Sequence, residues 1–228
     1  MRLGLSYVRG IGPDLAVQIA GCQPYRDIED LMRRAGVSRA QAEALATAGA
    51  FDCFGLSRRA ALWSAGSEGN ARNGLEGLVV GADAPTLPGM TPVEVNRADL
   101  WATGLSPDSY PTEFVRDELA AEGVVPAARL VEVANGDRVT VAGMVTHRQR
   151  PATAQGVTFM NLEDETGLVN VVCSAGAWKR YRRVARSSPA LIIDGRLERV
   201  ETVVNVVAER IRPMALDPGG TLRSRDFR

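Results

Sequence analysis

Cysteine is scarce in this chain of 228 residues: Cys22, Cys53 and Cys173 are odd in number, far apart and without a CxxC spacing. Neither a disulfide framework nor a zinc site is therefore expected, and all three thiols are expected to be reduced and buried. Long apolar runs are missing too. None approaches the ~20 residues of a membrane-spanning helix, and the opening Met1-Arg2-Leu3-Gly4-Leu5 lacks a signal-peptide core followed by a cleavage site. A cytoplasmic protein with no membrane partner is the expectation. His147 is the only histidine and Lys179 the only lysine. No nucleophile-elbow spacing accompanies His147, which reads as structural. With every other cation an arginine, the chain carries the bias of a GC-rich genome, so arginine content alone says little about phosphate binding. Net charge is also absent, 27 basic residues offsetting 27 acidic ones, which argues against strong non-specific attraction to nucleic acid.

What is there is unevenly distributed. From Arg138 to Arg212 eleven arginines and one lysine face seven acidic residues, so this stretch is basic and the remainder offsets it. The same stretch alternates as strands do. Val139, Val141, Gly143 and Val145 interleave with Thr140, Ala142, Met144 and Thr146, and Val157 to Leu162 repeats the pattern. Asp164-Glu165-Thr166-Gly167 makes a polar turn, and Leu168 to Cys173 resumes a β-branched run, so the two runs should pair as a hairpin. Ala175 to Arg183 breaks the alternation, with Trp178, Tyr181 and Arg182 at helical spacing. Leu191 to Leu197 and Val203 to Ile211 supply two further strands joined at Glu201-Thr202. Five strands with one helix between the third and fourth predict an OB-fold, a five-stranded Greek-key barrel that binds oligonucleotides or oligosaccharides on one face. Arg148 and Arg150 at the end of the first strand, Phe159 and Asn161 on the second, and Lys179 on the helix are the candidate nucleic-acid ligands. Lys179, Arg180, Arg182 and Arg183 read more readily as a solvated helix face than as a phosphate track. Glu163-Asp164-Glu165 is not read as a metal-dependent nuclease cluster, because adjacent carboxylates at a hairpin turn point apart.

The first sixty-five residues are helical in pattern. Arg9-Gly10-Ile11-Gly12 precedes Pro13-Asp14 and an apolar run to Ala20, the arrangement of a helix-hairpin-helix in which glycines let the backbone approach a phosphate and the following helix start supplies N–H groups. No strand precedes the glycine pair and no third glycine follows in register, which excludes a dinucleotide-binding turn. Asp27 to Arg34 predicts a short helix, Ser38 to Gln41 a capping box, and Ser57 the cap of a helix running Arg58 to Ser64. With Gly49, Arg58 and Arg59 as a second phosphate-contacting set, residues 1–65 read as a tandem helix-hairpin-helix DNA-binding unit. Residues 66–90, rich in Gly, Pro, Ala and Asn, read as a flexible linker. Residues 91–129 read as a helical connector, with helices over Val93 to Ala102 and Thr112 to Glu122. The barrel takes 130–213, and 214–228 form a polar, loosely held tail. The fold class expected is α+β and multidomain.

Several blocks occur here in one order: Leu3 to Gly12; Ala48-Gly49-Ala50-Phe51-Asp52 with Arg58-Arg59-Ala60-Ala61-Leu62-Trp63; Thr103-Gly104-Leu105-Ser106; Arg148-Gln149-Arg150-Pro151 with Gly156 to Gly167; and the terminal Ser224-Arg225-Asp226-Phe227. Together they closely resemble the C-terminal part of bacterial error-prone DNA polymerases, the damage-induced relatives of the replicative polymerase III alpha subunit. The resemblance implies a part of a longer enzyme whose palm, with its metal-binding aspartates and Mg²⁺, lies upstream. No cofactor is implied for this chain, nor catalysis by it alone. It implies a role in holding duplex and single-stranded template during damage-induced (SOS) translesion synthesis, alongside an accessory Y-family-like polymerase protein and the sliding clamp. Tyr110-Pro111 stands where the family usually has His-Pro, and no glutamine-led clamp-binding peptide is evident. The alternative reading is a protein-interaction module that recruits the accessory polymerase or the clamp.

Overall fold

Local capping sets the helices. Helix α1 (Pro13–Gly21) has Gly12 as an extended N-cap and Pro13 in its first turn, where a missing N–H costs nothing. In α2 (Ile28–Arg34) the Asp27 side chain accepts from the Asp30 N–H. Helix α3 (Arg39–Thr47) opens with the Ser38–Gln41 capping box, and α4 (Arg58–Ala71) follows Ser57. A second capping box, Thr91 with Glu94, starts α5 (Pro92–Thr103), which Gly104 ends at φ 76°. These helices form the unit Met1–Pro107 around Ile19, Leu31, Val37, Leu45 and Phe51. The computed structural model describes residues 3–71, 84–201, 203–215 and 225–227. Outside them lie Met1, Arg2, residues 72–83 of the expected linker, Thr202 at the last turn, and positions 216–224 and 228 of the tail.

The buried Asp30 organises the α2 end of this unit. It accepts from the Arg33 and Arg34 guanidiniums at 2.9 and 3.1 Å and from the Arg26 N–H at 3.3 Å. Burial alone would raise its carboxyl, but the hydrogen bonds from Arg33, the Arg26 N–H and Arg34 outweigh it and bring the pKa down to about 2.

The second unit, Asp108–Arg228, is a barrel with a helical cover. Strands β1 (Arg138–Gln149), β2 (Thr158–Asp164), β3 (Gly167–Cys173), β4 (Ala190–Val200) and β5 (Val203–Pro213) close in the order β1-β2-β3-β5-β4-β1, with β3 and β5 parallel and the other pairs antiparallel. This is the five-stranded barrel of an OB-fold. Helix α6 (Arg116–Ala121) lies ahead of the barrel, and α7 (Ala175–Ser187) joins β3 to β4. Val141, Leu162, Val171, Leu191, Ile193 and Val206 fill the interior. A separate cluster on the outside, Leu119 and Val124 against Ala142, Met144, Ala190 and Ile192, packs the cover onto β1 and β4.

Closure depends on β1 pairing with β4 over Arg138–Met144 and with β2 from Met144 onward. At the changeover a Cβ on Gly143 would stand 2.6 Å from the Glu163 carbonyl oxygen, so only glycine lets the strands cross so closely. Gly195 plays the same part on β4, beside a bulge and 2.3 Å from the Val207 carbonyl by the same measure.

Four expectations need correction. Helix α4 continues through Ala71, into the segment expected as linker. The connector divides, α5 belonging to the first unit and α6 to the second. Arg225–Phe227, expected as loose tail, pairs in parallel with His147–Gln149 as β6, because β4 leaves that side of β1 unpaired past Met144. Of the three thiols only Cys173 is buried, where burial pushes its pKa up to about 11; Cys22 is half-buried and Cys53 exposed.

Gly143→Ala is expected to cost about 1–3 kcal/mol through overpacking against the β2 backbone, measurable as a lower urea midpoint. A depressed carboxyl stabilises above its unfolded pKa of ~3.9 and loses that contribution as pH falls through the folded value. Asp30→Asn should therefore lower the melting temperature at neutral pH, with the gap to wild type closing between about pH 4 and about pH 2. A gap constant across that range would show that Asp30 acts by shape and not by charge.

Candidate nucleic-acid interface

Beyond the crossover, β1, β2, β3 and β5 turn alternate residues outward. Register places them in rows: His147 beside Asn161, Asn170 and Asn205, and Gln149 beside Phe159, Val172 and Val207. Phe159 is 39% exposed. Asn161 donates to Asn170 at 2.9 Å, which donates in turn to the Val204 carbonyl at 3.4 Å. Leu168 and Val203 extend the same surface as exposed apolar side chains. One aromatic ring at the edge of a ladder of amides suits flat, hydrogen-bonding bases better than phosphates, since no cation stands in either row.

The two arginines of the first strand part company. A bulge lies between Val145 and His147. One extra residue reverses the in-out parity of everything after it, so Arg148, expected on the binding face, points inward instead. It is 7% exposed and donates from Nε to the Ala185 carbonyl and from Nη2 to the Ser188 carbonyl, both at 2.7 Å. There it caps the C-terminal end of α7. Arg150 remains exposed, its guanidinium beside Gly156 in the loop joining β1 to β2. Lys179 is exposed on α7, apart from the two rows. His147, read as structural, takes a place in the amide row, with Nδ1 3.2 Å from the Thr146 hydroxyl.

The helical unit divides its candidates as well. Gly10 (φ 77°) and Gly12 are exposed with open space where a side chain would be, and Ile11 is buried beneath them. The turn is pinned by Arg9 N–H to the Ala102 carbonyl at 2.7 Å and by Gln41 to the Gly10 carbonyl at 3.1 Å, with the Arg9 guanidinium over the Trp101 ring. Gly49, Arg58 and Arg59 do not form a second open hairpin. A Cβ on Gly49 would fall 2.9 Å from the Arg58 guanidinium, which donates to Asp99 at 2.7 Å and to the Thr47 carbonyl at 3.3 Å. Arg59 pairs with Glu94 at 2.7 Å. These partners lie 35 and 41 residues away in sequence, beyond the reach of local pattern.

The acidic hairpin is spent on architecture. Asp164 accepts from the Ala127, Thr166 and Gly167 N–H groups, at 2.8, 2.7 and 3.0 Å. Glu165 pairs with Arg116 and accepts from the Thr112 hydroxyl at 2.6 Å. Burial would raise the Glu165 carboxyl, yet Arg116 and Thr112 hold it below its ordinary value. Tyr110 stands against Glu163, and burial, followed by that carboxylate, pushes its hydroxyl pKa up. No group of three metal-ligating side chains occurs among the described residues, and none of their helices is long and apolar enough to cross a membrane.

Residues 1–61 match the helix-hairpin-helix motif, and residues 139–214 the OB-fold nucleic acid binding domain. Over its full length the chain is 54% identical to the error-prone DNA polymerase of Mycolicibacterium paratuberculosis, 54% to that of Nocardia farcinica and 52% to that of Mycobacterium tuberculosis. The chain matches the C-terminal fifth of bacterial error-prone DNA polymerases. It spans 21% of the length of each of these curated relatives. Among solved structures, the asparaginyl-tRNA synthetase of Pyrococcus horikoshii overlaps 40% of this chain, and the chain 22% of that protein, at 19% identity and a TM-score of 0.35.

Arg148 is expected to matter for folding. Arg148→Ala leaves two carbonyls at the end of α7 without their charged donor, and hydrogen bonds to charged groups contribute about 1.5–3 kcal/mol each. A loss of about 3–6 kcal/mol in urea unfolding, from two such bonds, with no change in the salt dependence of DNA binding, is the expected result; a shallower salt dependence would return Arg148 to the interface.

Proposed function

We propose that this chain is the DNA-holding part of an error-prone polymerase that acts in damage-induced translesion synthesis, with the nucleotide-adding palm in the portion of the relatives it does not cover. The outer face of the barrel takes single-stranded template, and the Arg9–Gly12 turn takes duplex phosphates. The observation carrying this is the two-row surface on β1, β2, β3 and β5: an exposed Phe159 next to an amide row of Asn161, Asn170 and Asn205, with Arg150 at its rim. Stacking on one aromatic ring contributes about 1–3 kcal/mol per base, while amides offer hydrogen bonds to base edges. At the turn, Gly10 and Gly12 leave the backbone open ahead of α1, whose N-cap has no side chain to satisfy the first-turn N–H groups. Identity above 50% along the whole of this chain, to a fifth of polymerases of several genera, supports the assignment of the whole enzyme's activity. Any accessory polymerase protein or sliding clamp would be a partner of that whole enzyme.

Phe159→Ala should weaken binding to a labelled oligothymidine by about 5- to 150-fold, the equivalent of ~1–3 kcal/mol, without altering its salt dependence. Arg150→Ala should shallow the slope of log K against log salt by about 0.7. The chain alone should add no nucleotide to a primer. If DNA binding proves negligible at physiological salt, the apolar Leu168, Val200 and Val203 surface becomes the site of a protein partner instead, and the template-holding role falls.

A further inference from the structure

Helix α7 carries a charge pattern that its place in the fold does not call for. Its residues Ala175–Ser187 include Lys179, Arg180, Arg182, Arg183 and Arg186 and no acid. At ~100° per residue the five cations fall within an arc of about 160°. Trp178, Tyr181, Val184 and Ala185 occupy the opposite side and pack into the barrel core. All five cations are exposed, and among the described residues none forms an ion pair. Arg180 alone has a neighbour of note, the Tyr181 ring.

Several other arginines of this chain are paired: Arg116 with Asp164 and Glu165, Arg138 and Arg196 with Glu209, and Arg212 with Glu122 and Asp194. On α7 like charges instead face one another at spacings of three and four, Lys179 with Arg182 and Arg183, and Arg182 and Arg183 with Arg186, which destabilises a helix. Solubility needs only a mixed-sign surface. Nor does the helix dipole require them all, because Arg148 already donates to the last carbonyls.

The helix also starts where the base-binding rows end. Thr158 pairs with Cys173, next to Phe159 and Val172 and one residue ahead of the Ser174 N-cap. A Cβ on Gly156 would meet both the Arg150 guanidinium, at 3.4 Å, and the Ala175 methyl, at 3.3 Å, so Arg150 lies at the first turn of α7.

Resting on the reading that the barrel holds DNA, we infer that the cationic face of α7 is a second, sequence-independent site for the nucleic-acid phosphate backbone, entered from Phe159 by way of Arg150. From Lys179 to Arg186 the helix advances ~10 Å, about three phosphates of one strand at ~3.4 Å of axis each. Bases are held on the sheet, and the charge that makes binding salt-dependent is met on the helix.

The test replaces Lys179, Arg182, Arg183 and Arg186 with Gln in the whole chain, which removes charge while keeping helix propensity and the apolar side. Anisotropy with labelled oligothymidine between about 50 and 200 mM salt should show a slope shallower by up to ~2.1, three phosphates at ~0.7 each, and affinity at ~100 mM lower by about a hundredfold. The melting temperature should be unchanged or higher, since repulsion is relieved. Lysine at Arg182, Arg183 and Arg186 should keep the wild-type slope; a slope lost there too would overturn the account as one of charge. If the glutamine variant keeps the wild-type slope while Phe159→Ala still weakens binding, the inference is overturned and α7 is left to an acidic protein surface. If neither variant weakens binding, the barrel reading falls and the inference with it.

Discussion

Strand β1 belongs to two sheets at once. Its first half is hydrogen-bonded to β4 and its second half to β2, so the strand has to bend sharply and cross close to the β2 backbone at Gly143. Closure of the ring, the enclosed core and the outward rows of Phe159 and Asn161 depend on that crossing. So does the fate of the two first-strand arginines. The bulge after Val145 turns His147 and Gln149 to the outer face and Arg148 to the inside, where it holds the end of α7. The vacancy on the far side of β1 is filled by β6, which leaves less of an unpaired strand edge available to another molecule.

Much of this architecture was legible in the sequence, because alternation and capping are local. Val139 to Thr146, Leu168 to Cys173 and Val203 to Ile211 announced strands at period two, and Ser38 with Gln41 announced a helix start. Parity along Val157, Phe159 and Asn161 left open whether Phe159 faces the core or the surface, and the strand turns it outward. What escaped was non-local. A bulge adds one residue without altering the pattern of residue types, so Arg148 read as a surface ligand. Arg58 and Arg59 looked like free cations because Asp99 and Glu94 lie a linker away. The three-residue strand at Arg225–Phe227 has too little alternation to distinguish it from a polar tail. Asn170 and Asn205, which complete the amide row, were missed because only the barrel register brings them beside Asn161.

Zero net charge conceals a division of labour among arginines. Arg33, Arg34, Arg58, Arg59, Arg116 and Arg196 meet carboxylates within their own unit and hold elements in place. Their positive field is locally cancelled, so they contribute little to long-range attraction of a polyanion. Arg150 and the cations on the outer side of α7 are exposed and meet no carboxylate among the described residues, so their field is available to one. A formal count over the chain misses this because it weighs paired and unpaired cations equally.

Asp164 ends up serving two parts of the fold with one carboxylate. It closes the β2–β3 hairpin through the N–H groups of Thr166 and Gly167, and through the N–H of Ala127 it anchors the segment ahead of β1. If either part opened alone, it would strand a buried carboxylate short of donors, a state far costlier than losing a surface contact. Residues from Arg116 to Leu130 are thus bound into the barrel's own foldon and should not melt ahead of it. A segment that reads in sequence as a passive spacer is, thermodynamically, the barrel's sixth wall.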